Sequence, residues 1–235
     1  MRTLWPQRPP VVRLVLFDID GTLIRTGGAG VRAFGRTADI LFGIQGASER
    51  MNFHGRTDVA LVRELFRAHG IPDTFANVRH FLDTYVFLLD HQLEQDRGAT
   101  LPGVHRLLAG LRQLSDPPAI GLLTGNIRLG AEIKLRAHAL WEEFILGGFA
   151  DDHESRNEIA RVARIRGGQH LGRELDGDEI VVIGDTPLDV ECARAIGARC
   201  LAVATGGFTA DQLRSHRPRW TVADLETVEA TELCA

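Results

Sequence analysis

Asp18 and Asp20 stand two residues apart in the run Asp18-Ile19-Asp20-Gly21-Thr22, directly behind an apolar stretch. In an extended chain two such side chains project to the same side, so both carboxylates would face one reacting group. Thr124-Gly125-Asn126 adds a hydroxyl beside exposed backbone N–H groups, and Gly184-Asp185-Thr186-Pro187-Leu188-Asp189 adds two further carboxylates. Phosphoryl transfer is the chemistry that uses these types together. Mg2+ takes hard oxygen ligands and keeps several waters, so two carboxylates, a carbonyl and a phosphate oxygen suffice to hold it. The ion screens the repulsion between an attacking carboxylate and a phosphate dianion. A second carboxylate near the leaving oxygen can protonate it and later deprotonate the attacking water. A hydroxyl and backbone N–H groups take the remaining phosphoryl oxygens. One basic side chain is still needed to balance the acids.

Each cluster alone fits an ordinary turn at a strand end, where Asp, Gly and Thr are common. The order of all three behind apolar runs is what turn chemistry leaves unexplained. Those runs span residues 11–17, 119–123, 144–149, 180–183 and 200–204, and read as buried strands. Between them lie helical patterns: Val104, Leu107, Leu108, Leu111 and Leu114; Ile133, Leu135, Ala139 and Leu140; Ile159, Val162 and Ala163; and Val190, Ala193 and Ile196 with Gly197 at its end. Strands alternating with helices imply an α/β fold, a Rossmann-like doubly wound parallel sheet whose ligands sit at the carboxyl ends of the strands.

Residues 27–97 break this rhythm. Gly27-Gly28-Ala29-Gly30 reads as a flexible entry, followed by helices expected at about 30–42, 57–69 and 75–92, with no β-branched strand-like run. The expected organisation is therefore a catalytic core from 11–26 and 98–235, an inserted all-helical cap at 27–97, and a proline-rich N-terminal arm at 1–10. Tyr85, the only tyrosine, is expected to pack within the cap.

The 235 residues, 44% of them hydrophobic, suffice for such a core and insert. The formal net charge of -4, with scattered arginines and Lys134 as the only lysine, argues against a nucleic-acid partner. Cys192, Cys200 and Cys234 have neither a disulfide framework nor metal-ligand spacing, and the first two read as buried thiols in a reducing compartment. The run Val11–Phe17 is interrupted by Arg13 and closed by Asp18, too short and charged for a signal or membrane segment. No membrane association and a cytoplasmic location are the resulting expectations.

On the motifs Asp-Ile-Asp-Gly-Thr, Thr-Gly-Asn and Gly-Asp-Thr-Pro-Leu-Asp, the chain resembles the haloacid dehalogenase-like hydrolase superfamily. The similarity is to the phosphoglycolate-phosphatase-like branch with a helical cap, and it covers about residues 11–210. The resemblance implies a phosphoric monoester hydrolase that uses Mg2+ and a phosphoaspartate intermediate on a small phosphorylated metabolite. Asp18 would be the nucleophile and a metal ligand, and Asp20 the general acid and base with its backbone carbonyl on the metal. Thr124 would bind the transferring phosphoryl group with Gly125 and Asn126 beside it. Asp185 would complete the protein ligands, with Asp189 behind them. Asp20 also separates this chain from the dehalogenases proper, which lack that second aspartate.

The family's usual third-motif lysine is missing near its position, and Arg156 is the expected substitute, the one cation the site would have beyond the metal. Arg156 also fits the start of a solvated helix face with Arg161 and Arg164. Arg56 has two readings, a partner for a substrate carboxylate or part of a surface loop in which Thr57 or Asp58 caps the next helix. Arg25 at the hinge is either a substrate contact or a solvated linker charge. A phosphomutase acting on a sugar phosphate, through the same nucleophile, is the alternative enzyme. A non-enzymatic binding protein fits poorly with an intact set of acids. Monomer and homodimer both remain open.

Overall fold

The computed structural model describes residues 11–235, so the expected arm at 1–10 lies outside the described residues. Strand β1 (Leu14–Phe17) opens the core, followed by β2 (Ile24–Arg25). Three helices come next: α1 (Ala29–Phe42), α2 (Asp58–Ala68) and α3 (Phe75–Gln95). The chain then returns through β3 (Ala99–Thr100) and α4 (Val104–Arg112) to β4 (Ala119–Leu123). Helix α5 (Arg128–Ala137), β5 (Leu146–Gly148), α6 (Arg156–Leu171) and β6 (Ile180–Gly184) continue the alternation. It ends with α7 (Pro187–Ala195), β7 (Arg199–Val203), α8 (Ala210–Ser215), β8 (Trp220–Val222) and α9 (Ala230–Leu233).

The main sheet has six parallel strands in the order β5-β4-β1-β6-β7-β8. Strand β1 lies between β4 and β6, so the chain winds away from it in both directions. The crevice at the carboxyl ends of these three strands is the place where such a sheet binds its ligand. Alternation of side chains sends Val15 and Phe17 of β1, with Val181 and Ile183 of β6, into the layer under α4 and α9. Leu14, Leu16, Ile180 and Val182 point the other way, against Ile159 and Ala163 of α6 and Ala193 of α7. Both faces are thus covered, which is why these strands are continuous apolar runs.

Helices α1 to α3 form the helical insert around a separate apolar cluster. Phe81 of α3 is fully buried, with its ring 4.8 Å from Phe34 of α1 and 5.9 Å from Phe66 of α2. Thr57 and Thr74 start α2 and α3 by accepting hydrogen bonds from the N–H groups of Ala60 and Asn77. Tyr85 packs as expected, 6.3 Å from the Phe34 ring. All three cysteines are free and buried, and burial pushes the Cys192 thiol up to about 12. No helix among the described residues is long and apolar enough to cross a membrane.

Two features escaped the periodicity of the sequence. Strand β8 is a sixth strand of three half-buried residues at the sheet edge, too short and too amphipathic to stand out. The pair β2 and β3 forms a small antiparallel ribbon where the chain leaves the core for the insert and returns. Helices α4 and α5 also stop short of Leu114 and Leu140, and Ile196 caps α7 rather than extending it.

The ribbon needs glycine at Gly98, which has φ +74, and a Cβ there would sit 1.8 Å from the carbonyl oxygen of Arg25. Gly98→Ala is expected to cost about 2 kcal/mol through strain and the backbone clash. The corresponding fall in Tm is roughly 4–8 °C for a domain of this size, measurable by calorimetry; an unchanged Tm would show that the ribbon is not a fixed joint.

Candidate active site

Three loops leave the carboxyl ends of β1, β4 and β6 and meet in one crevice beneath the insert. The first continues the ladder for one step, since the N–H of Asp18 donates to Ile183 O at 2.9 Å. This holds Asp18 at the strand end, 4% exposed. The Asp20 side chain is far more open, at 42% exposure. Thr22, in the same first loop, reaches the third: its Oγ donates to Asp185 Oδ1 at 3.2 Å. Asp189 sits in the first turn of α7, where its Oδ2 accepts from Thr186 N at 3.0 Å and Thr186 Oγ at 2.8 Å. That is a capping interaction, favoured by the positive end of a helix.

Side-chain oxygens of Asp18, Asp185 and Asp189 lie within 4.8 Å of one another. Arg156, the first residue of α6, is buried between them. Its Nη2 lies 2.9 Å from Asp18 Oδ1 and 2.5 Å from Asp189 Oδ1, and also donates to Leu123 O at 3.3 Å. Its Nη1 donates to Gly55 O in the insert at 3.2 Å. The expectation of a solvated helix face is thereby set aside for Arg156, while Arg161 does lie at the surface, paired with Glu158. Burial pushes the Asp18 carboxyl up to about 6, opposed by Arg156 and reinforced by Asp189 and Asp20. Burial, with Asp18 and Asp189 adding to it, takes Asp185 up to about 8.

The residues present fit a hard divalent cation. The donor set is entirely oxygen, and three buried carboxylates face one guanidinium, leaving negative charge for a metal to neutralise. Asp189 differs from the other two because both its oxygens are already engaged.

On the other side of the crevice the structure corrects one expectation. Arg156 is not the only cation at the site. Lys134, on α5 of the core, is 4% exposed and reaches the same pocket. Its Nζ donates to Asp20 Oδ2 and to Asn126 Oδ1, both at 2.6 Å. The Asn126 amide in turn donates to Asp20 Oδ2 and to Thr124 Oγ, both at 2.8 Å. Thr124 Oγ therefore accepts from Asn126, which leaves its own proton available. A faint signal of this was in the sequence. Gly130, Ala131, Lys134 and Leu135 form the buried face of α5, so the one lysine of the chain lies on a stripe meant for the interior.

Of the two candidate caps of α2, Asp58 has a different place. Thr57 performs that role, whereas Asp58 Oδ2 accepts from Ile127 N at 2.8 Å and joins the insert to the core. Burial pushes Asp58 up to about 6, against the pull of Lys134. Gly125 is pressed against the insert too: Asp58 N donates to its carbonyl at 2.7 Å, and a Cβ on it would lie 2.2 Å from Arg56 O. Arg56 and Arg25 both line the cavity, but neither guanidinium is free. Arg56 Nη1 lies 2.5 Å from Glu64 Oε2, and Arg25 Nη2 donates to Thr205 O at 2.7 Å. The cavity itself measures about 430 Å3, with Phe34, Phe53 and Leu61 of the insert above the polar floor.

Residues 15–194 match the haloacid dehalogenase-like hydrolase family, and the chain belongs to it. "Probable phosphatase IndB" of Dickeya dadantii is 26% identical over 211 residues, 88% of this chain and 87% of that protein. The "Bifunctional riboflavin kinase/FMN phosphatase" of Arabidopsis thaliana is 26% identical over 196 residues, 80% of this chain but 48% of that longer protein. Among solved structures, CbbY from Rhodobacter sphaeroides in complex with phosphate shares the fold, with a TM-score of 0.74 and 18% identity over 92% of this chain and 96% of that one.

Removing Arg156 would leave Asp18 and Asp189 buried without their counter-charge. Arg156→Ala should lower stability by about 3 kcal/mol at pH 8 in metal-free buffer. The sign with pH follows from Asp18. Its folded pKa of about 6 lies above the ordinary 3.8, so the folded state gains by its protonation, and Arg156 opposes that rise. Without the guanidinium the penalty grows as pH climbs through 6 and shrinks toward pH 5. Denaturant unfolding at both pH values would test this; an equal loss at each would contradict the charge argument.

Proposed function

We propose that this chain hydrolyses small-molecule phosphate monoesters through a phosphoaspartate formed on Asp18. The observation that carries the proposal is the meeting of Asp18, Asp185 and Asp189 around Arg156 at the crevice of the sheet, with Asp20 and Thr124 opposite. Asp18 and Asp185, with the backbone carbonyl of Asp20, would hold Mg2+. Bound there, the ion supplies positive charge that lets a carboxylate approach a phosphate dianion. Arg156 keeps the buried Asp18 ionised and aimed, and Asp189 fixes Arg156.

The chemistry of the side chains then runs in two halves. Asp18 attacks phosphorus while Asp20 gives its proton to the departing ester oxygen. In the second half Asp20 takes a proton from water, which attacks phosphorus and frees Asp18 and inorganic phosphate. Thr124 donates to a phosphoryl oxygen, since its own acceptor position is already filled by Asn126. Residues 27–97 act as a cap over the crevice. The roof formed by Phe34, Phe53 and Leu61 limits the substrate to a ligand that fits beneath it, and it excludes bulk water. Arg56 and Arg25 contribute to substrate binding only by exchanging their present partners for a substrate anion, as a phosphoglycolate-like molecule would require.

The test is a screen of phosphorylated metabolites with Mg2+ present. Asp18→Asn should lower turnover at least about 10³-fold while the fold survives, and Asp185→Asn should weaken Mg2+ binding about tenfold or more by calorimetry. Arg156→Ala should lose most of the activity. Turnover by Asp18→Asn at the wild-type rate would remove it as nucleophile. Formation of an isomeric sugar phosphate, in place of free phosphate, would move the assignment to the mutase.

A further inference from the structure

Lys134 has no part in the scheme above, yet it is a buried ammonium inside the crevice. It rises from α5 of the core and passes beneath the insert. A Cβ on Gly30 of α1 would lie 3.6 Å from its Nζ and 3.4 Å from Tyr85 Oη, so the insert closes directly over it. Its two acceptors are Asp20 Oδ2 and Asn126 Oδ1. With the Asn126 amide also on Asp20 Oδ2, that oxygen is held by two donors from two different elements. Asp20 Oδ1 has no hydrogen-bond partner among the described residues.

We infer that Lys134 is a positioning residue for proton transfer: it clamps one oxygen of Asp20, so that the other carries the proton to the leaving group. The inference rests on the phosphatase reading. Asp20 is otherwise a half-exposed side chain free to rotate, and a general acid acts only within hydrogen-bond reach of the atom it protonates. The ammonium also stabilises the carboxylate that forms as the proton departs. In that step the bond between phosphorus and the ester oxygen breaks as the bond from Asp18 forms. The electron pair goes to the ester oxygen, which receives the proton from Asp20 Oδ1. The Asn126 amide that shares Asp20 Oδ2 also reaches Thr124 Oγ, at 2.8 Å.

This role predicts a dependence on the leaving group that mere support of the fold would not produce. An alkyl phosphate releases a basic alkoxide and needs the acid, whereas p-nitrophenyl phosphate releases a stable phenolate and needs it little. The quantity kcat/KM covers steps up to loss of the leaving group, so hydrolysis of the phosphoenzyme does not enter. For Lys134→Met in Mg2+, kcat/KM toward an alkyl phosphate should fall about 10²-fold or more. The loss on p-nitrophenyl phosphate should stay below about tenfold, with Tm and Mg2+ affinity near wild type. Lys134→Arg, which keeps the cation, should recover part of the alkyl-ester activity. Equal losses on both esters would overturn the inference. Should Lys134→Met not fold, the same two-ester comparison on Lys134→Gln decides it by the same criterion. Failure of the wild type on both esters, or full activity of Asp18→Asn, would overturn the phosphatase reading and this inference with it.

Discussion

Mutual repulsion among carboxylates crowded at one rim of the sheet is the constraint around which this structure is arranged. At a separation near 4.8 Å, two such charges repel by about 3 kcal/mol even with an effective dielectric of 20. Burial raises the cost further, as the elevated Asp18 and Asp185 show. Arg156 answers this from the start of α6 and Lys134 answers Asp20 from α5, each buried and each aimed by its helix. The two cations stand on opposite sides of the crevice and divide the acids between them: Arg156 holds Asp18 and Asp189, and Lys134 holds Asp20.

That division matches the two kinds of work in the reaction proposed above. The Arg156 side is closed, with side chains almost wholly buried, and suits a nucleophile and its metal, which must not shift. The Lys134 side opens to the cavity, and suits an acid that exchanges protons with ester and water. On that side Lys134, Asp20, Asn126 and Thr124 share one hydrogen-bond chain.

The insert is coupled to this chemistry by contacts to the same loops. Asp58 bonds to Gly125 and Ile127, Thr57 Oγ donates to Glu154 O at 2.8 Å, and Gly55 accepts from Arg156. These cluster in the loop before α2, on the catalytic side, while the ribbon of β2 and β3 ties the opposite end. Any movement of the insert away from the crevice would break hydrogen bonds to the loop behind β4 and to Arg156.

How much of this was legible beforehand follows from the range of the interactions. The five core strands β1, β4, β5, β6 and β7, the three insert helices and the acidic residues at the strand ends are local patterns: apolar runs, helical periodicity, turn chemistry. Asp18, Asp185 and Thr124 could be picked out because each follows such a run within two residues. Arg156 was singled out through the resemblance, as the substitute for the family's third-motif lysine, and its geometry came only with the fold. What stayed hidden were contacts between residues far apart in the chain. Lys134 meets Asp20 across 114 positions and Asp58 meets Ile127 across 69. Even at short range a pairing was hidden: Arg56 is paired with Glu64 near the middle of α2, which removes it as a free anion receptor. Strand β8 is defined by its partner β7 rather than by its own three residues. Apolar periodicity records which face of an element is buried; it carries no record of which polar groups from other elements are buried beside it. The types and order of the reactive residues were thus written along the chain, whereas their pairing was set by the packing of α5 and the insert over the sheet, because a charge buried without its partner has too high a free energy to persist.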